Sequence, residues 1–228
     1  MKAWVIPEAG PDFVCAMEAV LDAYARPYDP ARPVVCLPVV CLDEKRKPLV
    51  SETRPGLIDT RGVRHEDYEY ERNGVGVLYM VCEPLGCRRE VLVEDGQDRL
   101  AWARVVTHMA EVMYPDAERI TLVQDNLAAH KPSALYEVHP PARARAIVER
   151  LEIIPTPKHG SWLNVAEIEL SLLSRQGLSK WVPDREALGV QAAAWAEVRT
   201  GEQRGVDWQF TTAEARVKLK RLYPSYIL

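Results

Sequence analysis

The sequence predicts an α/β domain built on one mixed sheet with helices on both faces. Three observations carry that reading. Between residues 68 and 94, strand-like runs follow one another with turn residues between them, the pattern of a β-meander. From residue 98 onward, helix-like and strand-like segments alternate, which places helices against a sheet that is at least partly parallel. Two apolar β-rich runs, Val39 to Leu42 and Ile120 to Gln124, each lead directly into an aspartate, Asp43 and Asp125. In sheets of this kind ligands gather at the C-terminal ends of strands.

The elements follow in order. Pro11 to Arg26 reads as a helix, with Phe13, Met17, Val20, Leu21 and Tyr24 at helical spacing, and prolines at 27, 30 and 33 end it. Residues 1–32 are therefore expected to be a lead-in helix and linker, and 33–228 the main domain. Pro33-Val34-Val35-Cys36-Leu37 is repeated at once as Pro38-Val39-Val40-Cys41-Leu42. A one-off tandem copy looks like a local duplication, and the second copy is expected to form the strand because Asp43 follows it directly. Residues 44 to 67 are polar and read as a long loop. Strands are expected at Tyr68 to Arg72, Val75 to Cys82 and Arg88 to Glu94, with turns at Asn73-Gly74 and from Pro84 to Gly86. Residues 98 to 113 read as an amphipathic helix. Ile120 to Gln124 reads as a buried strand. Leu135 to Arg150 is helical but broken by Pro140-Pro141, and Leu151 to Ile154 is a further strand. Three helices close the chain, at Ser161 to Arg175, Asp184 to Thr200 and Thr212 to Leu222, with Ser161, Asp184 and Thr212 as N-caps.

Bulk properties narrow the function. The chain has 228 residues, a 47% hydrophobic content and a formal net charge of −4. The pI near 5.8 lacks the overall basic footprint common in nucleic-acid enzymes. Basic residues nevertheless cluster at Lys45-Arg46-Lys47, at Arg143, Arg145 and Arg150, and at Arg216, Lys218, Lys220 and Arg221; each cluster reads equally as a solvated face. No apolar run is long enough to span a membrane. The five cysteines, with no Cys-x-x-Cys among them, read as buried free thiols in a reducing, cytoplasmic setting. There is no Gly-x-Ser-x-Gly elbow, no Walker loop and no dinucleotide fingerprint.

What remains is an acidic constellation. Asp43 and Asp125 sit at strand ends, and Glu167 stands near the start of a helix that follows a Gly-Ser turn. Singly, each reads as a cap or a surface carboxylate. Together they can converge on hard divalent cations, which prefer oxygen ligands, and a paired-metal site activates an oxygen nucleophile for in-line attack on phosphate. Lys158, His159, Ser161 and Asn164 crowd the start of the same helix, where backbone amides favour phosphate. Periodicity does not choose between Glu167 and Glu169, and a helix cannot turn both toward one point.

Five segments carry a resemblance: Leu42-Asp43-Glu44-Lys45; Tyr68 to Gly74; Asp125-Asn126 with His130; Thr156 to Glu167; and Val206 to Thr212. Together they resemble the bacterial insertion-sequence 630 family of the mariner transposase superfamily, in order and over nearly the whole chain. The resemblance implies a ribonuclease-H-like DDE catalytic domain over 33–228, with Asp43, Asp125 and Glu167 as catalytic residues and metal ligands. Two Mg2+ or Mn2+ ions are the implied cofactors. The implied partners are double-stranded DNA, as transposon ends and as target, with a homodimer or a separate DNA-binding subunit as further expectations. Asn126, His130, Lys158, His159 and Asn164 are expected to contact DNA or to support the metal ligands. The expected setting is the bacterial cytoplasm, with nucleoid association when DNA is bound. Family members usually carry helix-turn-helix modules ahead of this domain, and this chain is expected to lack them. A decayed or regulatory DNA-binding remnant and a ribonuclease-H-like nuclease without strand transfer are the competing readings.

Overall fold

The computed structural model of the chain describes residues 10–27, 38–54, 56–65 and 69–224. Its main strands are β1 (Val39–Glu52), β4 (Tyr70–Cys82), β5 (Arg89–Glu94), β6 (Ile120–Gln124) and β7 (Leu151–Pro155). A small hairpin of β2 (Leu57–Ile58) and β3 (Arg64–His65) lies between β1 and β4 in the chain. The helices are α1 (Pro11–Tyr24), α2 (Arg99–His108), α3 (Leu135–Val138), α4 (Pro141–Glu149), α5 (Val165–Gln176), α6 (Arg185–Gly201) and α7 (Thr212–Lys218).

The main sheet has the order β5-β4-β1-β6-β7. β1 is its middle strand. It runs antiparallel to β4, which pairs antiparallel with β5, and parallel to β6, which pairs parallel with β7. The sheet is mixed, as the sequence predicts. Alternation along its strands sorts side chains to two faces. Val40, Leu42, Val77, Tyr79, Val81, Ile120 and Leu122 pack with α2, α3 and α4 on one face. Cys41, Leu78, Met80, Cys82 and Val123 pack with α1, α5, α6 and α7 on the other. The lead-in helix thus packs into the core: Met17, Val20 and Leu21 are all buried against that second face.

The structure corrects several expectations. The segment after Asp43 is not a loop: β1 runs on to Glu52, paired with β4 as far as Tyr70. Most of its side chains are polar, but Leu49 is buried in the core beside Leu188 of α6, and its backbone is satisfied by the β4 ladder and, at Val50, by the Val182 carbonyl. The expected turn at Asn73-Gly74 is instead a β-bulge inside a continuous β4. Gly74 takes φ +103°, and the register shifts opposite it, between Pro48 and Val50. A side chain is strained in that conformation, and Pro48 lacks the N–H a regular ladder would use, so the irregularity falls where the sequence can tolerate it. The second repeat copy does enter β1, while the first, residues 33–37, lies outside the described residues. The helix expected over 98–113 ends as a π-helical turn, Met109–Met113. Arg150 fastens that turn by donating to the carbonyls of Ala110 and Ala117, each at 2.9 Å, and to that of Tyr114. The N-cap of α5 is Asn164, not Ser161, which opens a short 3-10 turn, and the cap of α7 is Thr211, not Thr212. Cys41 and Cys82 are buried as expected, but Cys15 is exposed on α1 and Cys87 is half-buried.

A buried ion pair locks α5 to the sheet. Arg89 on β5 lies 3.2 Å from Glu169, with both side chains at most 2% exposed. Arg199 on α6 donates to both oxygens of the same carboxylate, at 3.1 and 2.8 Å. Glu169→Ala would leave the Arg89 cation buried without a counter-charge. It should destabilise the fold by about 3–5 kcal/mol, read as a lowered urea midpoint.

Candidate active site

The three family-like carboxylates come from three elements that meet where β1 and β6 stop pairing. Parallel pairing ends at Cys41 and Val123. Asp43 lies two residues further along β1, inside the strand rather than at its end. Asp125 is the first residue after β6, and Glu167 is in the first turn of α5.

Two side chains set the position of Glu167 relative to Asp43. Asn164 caps α5 by accepting from the Ala166 N–H at 3.1 Å, and it donates from the same amide to the Leu42 carbonyl at 2.9 Å. Tyr24, from α1, donates to the Leu163 carbonyl at 2.7 Å and lies 3.2 Å from the Cys41 sulfur. The turn leading into α5 is equally constrained. His159 adopts φ +63°, and a Cβ on Gly160 would stand 2.5 Å from the Pro157 ring. Only glycine fits there, which gives the Pro-Lys-His-Gly sequence its local meaning.

The electrostatics are those of gathered negative charge. Burial pushes the Asp43 carboxyl up to about 7; the Glu44 N–H opposes this, while the fields of Glu44, Asp125 and Glu167 reinforce it. Behind Asp125 stands His130. Its Nδ1 lies 2.6 Å from Asp125 Oδ1, and its Nε2 lies 3.4 Å from Glu44 Oε2. Burial disfavours the imidazolium, but the Asp125 and Glu44 carboxylates outweigh it and carry His130 to about 9. Glu44, Asp125 and His130 each offer one ligand atom within 4.8 Å of the others, a grouping that Asp43 and Glu167 do not join.

The remaining expected residues divide. Asn164 is buried and spent on the backbone, so it supports the site and is not open to a ligand. Asn126, Lys158 and His159 are exposed around its rim. Glu169 faces away, into the ion pair with Arg89 and Arg199. Most of the basic clusters are engaged elsewhere: Arg143 pairs with Glu111, Arg145 with Glu149, Arg216 with Glu18 and Lys218 with Glu214. Lys45 and Arg46 are exposed on the β1 extension. Glu44 was not anticipated. Its signal was its place directly after Asp43, which strand alternation turns to the opposite face.

A mixed sheet that concentrates carboxylates at the open end of its parallel strands defines an acidic α/β domain suited to hard cations. The chain belongs to the DDE superfamily endonucleases, whose family model matches residues 38–189. The fold is that of the ribonuclease-H-like domain in solved mariner Mos1 complexes. One is a paired-end complex with Mg, at TM-score 0.56 and 11% identity, covering 97% of this chain and 64% of that one. Another is the Mos1 strand transfer complex, at TM-score 0.55 and 14% identity, covering 89% of this chain and 61% of that one. A paired-end complex with Mn has TM-score 0.53 and 14% identity, covering 90% and 60% respectively. The chain thus spans less than two thirds of each of these proteins. No curated protein sequence matches it.

Two outcomes follow from this geometry. Asn164→Ala removes a helix cap and leaves buried polar groups without a partner, so it should cost about 2 kcal/mol in thermal or urea unfolding. The second concerns pH. Asp43 is raised to about 7 in the fold, so between about 4 and 7 the folded state holds a proton that the unfolded state has released. Its contribution to stability is therefore greatest at low pH and is lost as pH rises through 7. With chelator present, Asp43→Asn should melt higher than the parent above pH 7, and the difference should shrink toward pH 5.

Proposed function

We propose that the chain is the catalytic domain of a DDE transposase of the insertion-sequence 630 kind, cutting DNA at transposon ends and joining the freed 3′ hydroxyl to target DNA. The observation that carries this is the placement of Asp43, Asp125 and Glu167 by β1, β6 and α5 where the parallel pairing ends, inside the family-matched segment; burial and the fields of Glu44, Asp125 and Glu167 raise the Asp43 carboxyl there. Such a site concentrates negative charge that divalent cations would neutralise, and its donors are the hard oxygens that Mg2+ and Mn2+ prefer. In this reading residues 33–228 form the catalytic unit, and α1 completes its core.

Asp43, Asp125 and Glu167 are the residues that would hold the ions. Two such ions would supply charge stabilisation to the attacking and leaving oxygens of an in-line displacement at phosphorus. The protein's own part is placement. Asn164 and Tyr24 hold the strand of Asp43 against the helix of Glu167. Engagement of Glu169 with Arg89 and Arg199 supports Glu167 as the carboxylate left free on α5. Exposed Lys158, His159 and Asn126 at the rim suit phosphate contacts, as do Lys45 and Arg46. The Mos1 structures are a strand transfer complex and paired-end complexes, and they support double-stranded DNA as the substrate class. A dimer and a separate subunit for recognising ends belong to the same proposal, as does a bacterial cytoplasmic setting.

The test is cleavage of a labelled transposon-end duplex with Mg2+ or Mn2+, alongside a chelator control. Asp43→Asn, Asp125→Asn and Glu167→Gln should each reduce metal-dependent cleavage by at least about 100-fold while the melting curves stay cooperative. Joined products with a target duplex separate a transposase from a nuclease that only cuts. A folded parent with no metal-dependent cleavage of any duplex would favour the regulatory remnant.

A further inference from the structure

On the face of β1 opposite Asp43, a buried imidazole is wedged between two carboxylates. The Glu44 and His130 side chains are each 1% exposed. Several contacts fix them. The Trp102 ring lies parallel to the His130 ring, 6.1 Å away at 20°. Gln124 accepts from Trp102 Nε1 at 2.9 Å and donates to the His130 carbonyl at 3.1 Å, so the histidine's backbone is held too. Gln97 donates to Glu44 Oε1 at 2.7 Å, which leaves Oε2 turned to His130 Nε2 at 3.4 Å. The other ring nitrogen, Nδ1, lies 2.6 Å from Asp125 Oδ1.

We propose that Glu44 is a positioning residue for Asp125, acting through His130. The proposal rests on the active-site reading above. The imidazole fills the space between the two carboxylates, with one nitrogen toward each, so the ring and not an ion bridges them. Nδ1 lies against Oδ1 as a close charge contact rather than an aligned hydrogen bond, and that contact restrains the Asp125 carboxylate. Glu44 Oε2 faces the far nitrogen at 3.4 Å as an ion-pair partner without an aligned hydrogen bond. Without it the ring would lose the buried carboxylate that faces it on that side among the described residues and could tilt, releasing Asp125. Carboxylates and imidazoles behind metal ligands act in this way, and losing one typically weakens metal affinity by about 10- to 100-fold. Strand alternation supplies the geometry: consecutive residues on β1 place Asp43 on the α5 face and Glu44 on the α2 face, and Asp125 sits between them.

The experiment is Mn2+ titration of the 228-residue chain, followed by electron paramagnetic resonance of free Mn2+, with melting curves recorded in chelator. The parent should bind Mn2+, and Asp43→Asn should abolish that binding. Glu44→Ala should weaken Mn2+ binding by about 10-fold or more with a cooperative melt. Glu44→Gln, which keeps an acceptor toward Nε2, should recover most of the loss. Because Glu44 acts through the ring, Glu44→Ala combined with His130→Ala should bind no more weakly than His130→Ala alone. If Glu44→Ala does not fold, Glu44→Asp carries the test, since it keeps the charge but shortens the reach, and it should weaken binding several-fold. Parent-like Mn2+ affinity in the Glu44 variants, or additive losses in the double variant, would overturn the proposal alone. A folded parent that binds no Mn2+ would overturn the active-site reading and this proposal with it.

Discussion

A single amide joins the two halves of the site. Asn164 donates to the carbonyl of Leu42, the residue before Asp43, and accepts from the first turn of the helix that carries Glu167. Both groups it satisfies are backbone, so the link depends on chain path and not on which side chains surround it. Tyr24 adds a second clamp between the same elements, from Cys41 to Leu163. Without these links the strand and the helix would be held by apolar packing, which is non-directional and tolerates small shifts, and by the Glu169 ion pair to β5 two strands away. The proposed site of three carboxylates would not tolerate them, because a displacement of about 1 Å is enough to spoil a reactive geometry.

The same region stores electrostatic tension. Asp43 is forced toward its neutral form by its surroundings, and His130 toward its charged form by its two carboxylate neighbours. A core made of such groups would be unstable, and the fold offsets this elsewhere. The sheet is sealed on both faces by continuous apolar clusters. The one strongly buried carboxylate of α5 that faces inward, Glu169, is neutralised by two arginines. The helix therefore carries two glutamates two residues apart with opposite fates: one is locked by cations in the core, and the other is exposed at the site.

The acidic net charge also finds a physical account. Much of the basic complement serves the fold. Arg150 satisfies the carbonyls of a π-helical turn, Arg26 forms a bidentate contact with Glu152, and Arg216 ties α7 to Glu18 of α1. The cations left exposed near the site, Lys45, Arg46 and Lys158, lie on the β1 extension and on the turn before α5. Local placement, not overall charge, decides whether a phosphate backbone meets positive charge there.

Much of this was legible in the chain because it rests on local periodicity and turn chemistry. The mixed sheet, the break at Pro140-Pro141, the strand from Ile120 to Gln124 and the aspartate after it follow from patterns a few residues long. Residues Asp43, Asp125 and Glu167 could be singled out by their positions relative to those patterns and by family resemblance. The rest depends on contacts between distant segments. The polar run after Asp43 is a strand only because β4 pairs with it, and Asn73-Gly74 is a bulge because Pro48 lies in the partner strand near the register shift. Asn164 caps α5 in place of Ser161 because the Leu42 carbonyl, 122 residues away in the chain, anchors its amide. Glu169 is removed from the site by Arg89 and Arg199, and Glu44 is drawn to it by His130. A linear pattern records which way a side chain points along its own element, but not which partner meets it across the fold.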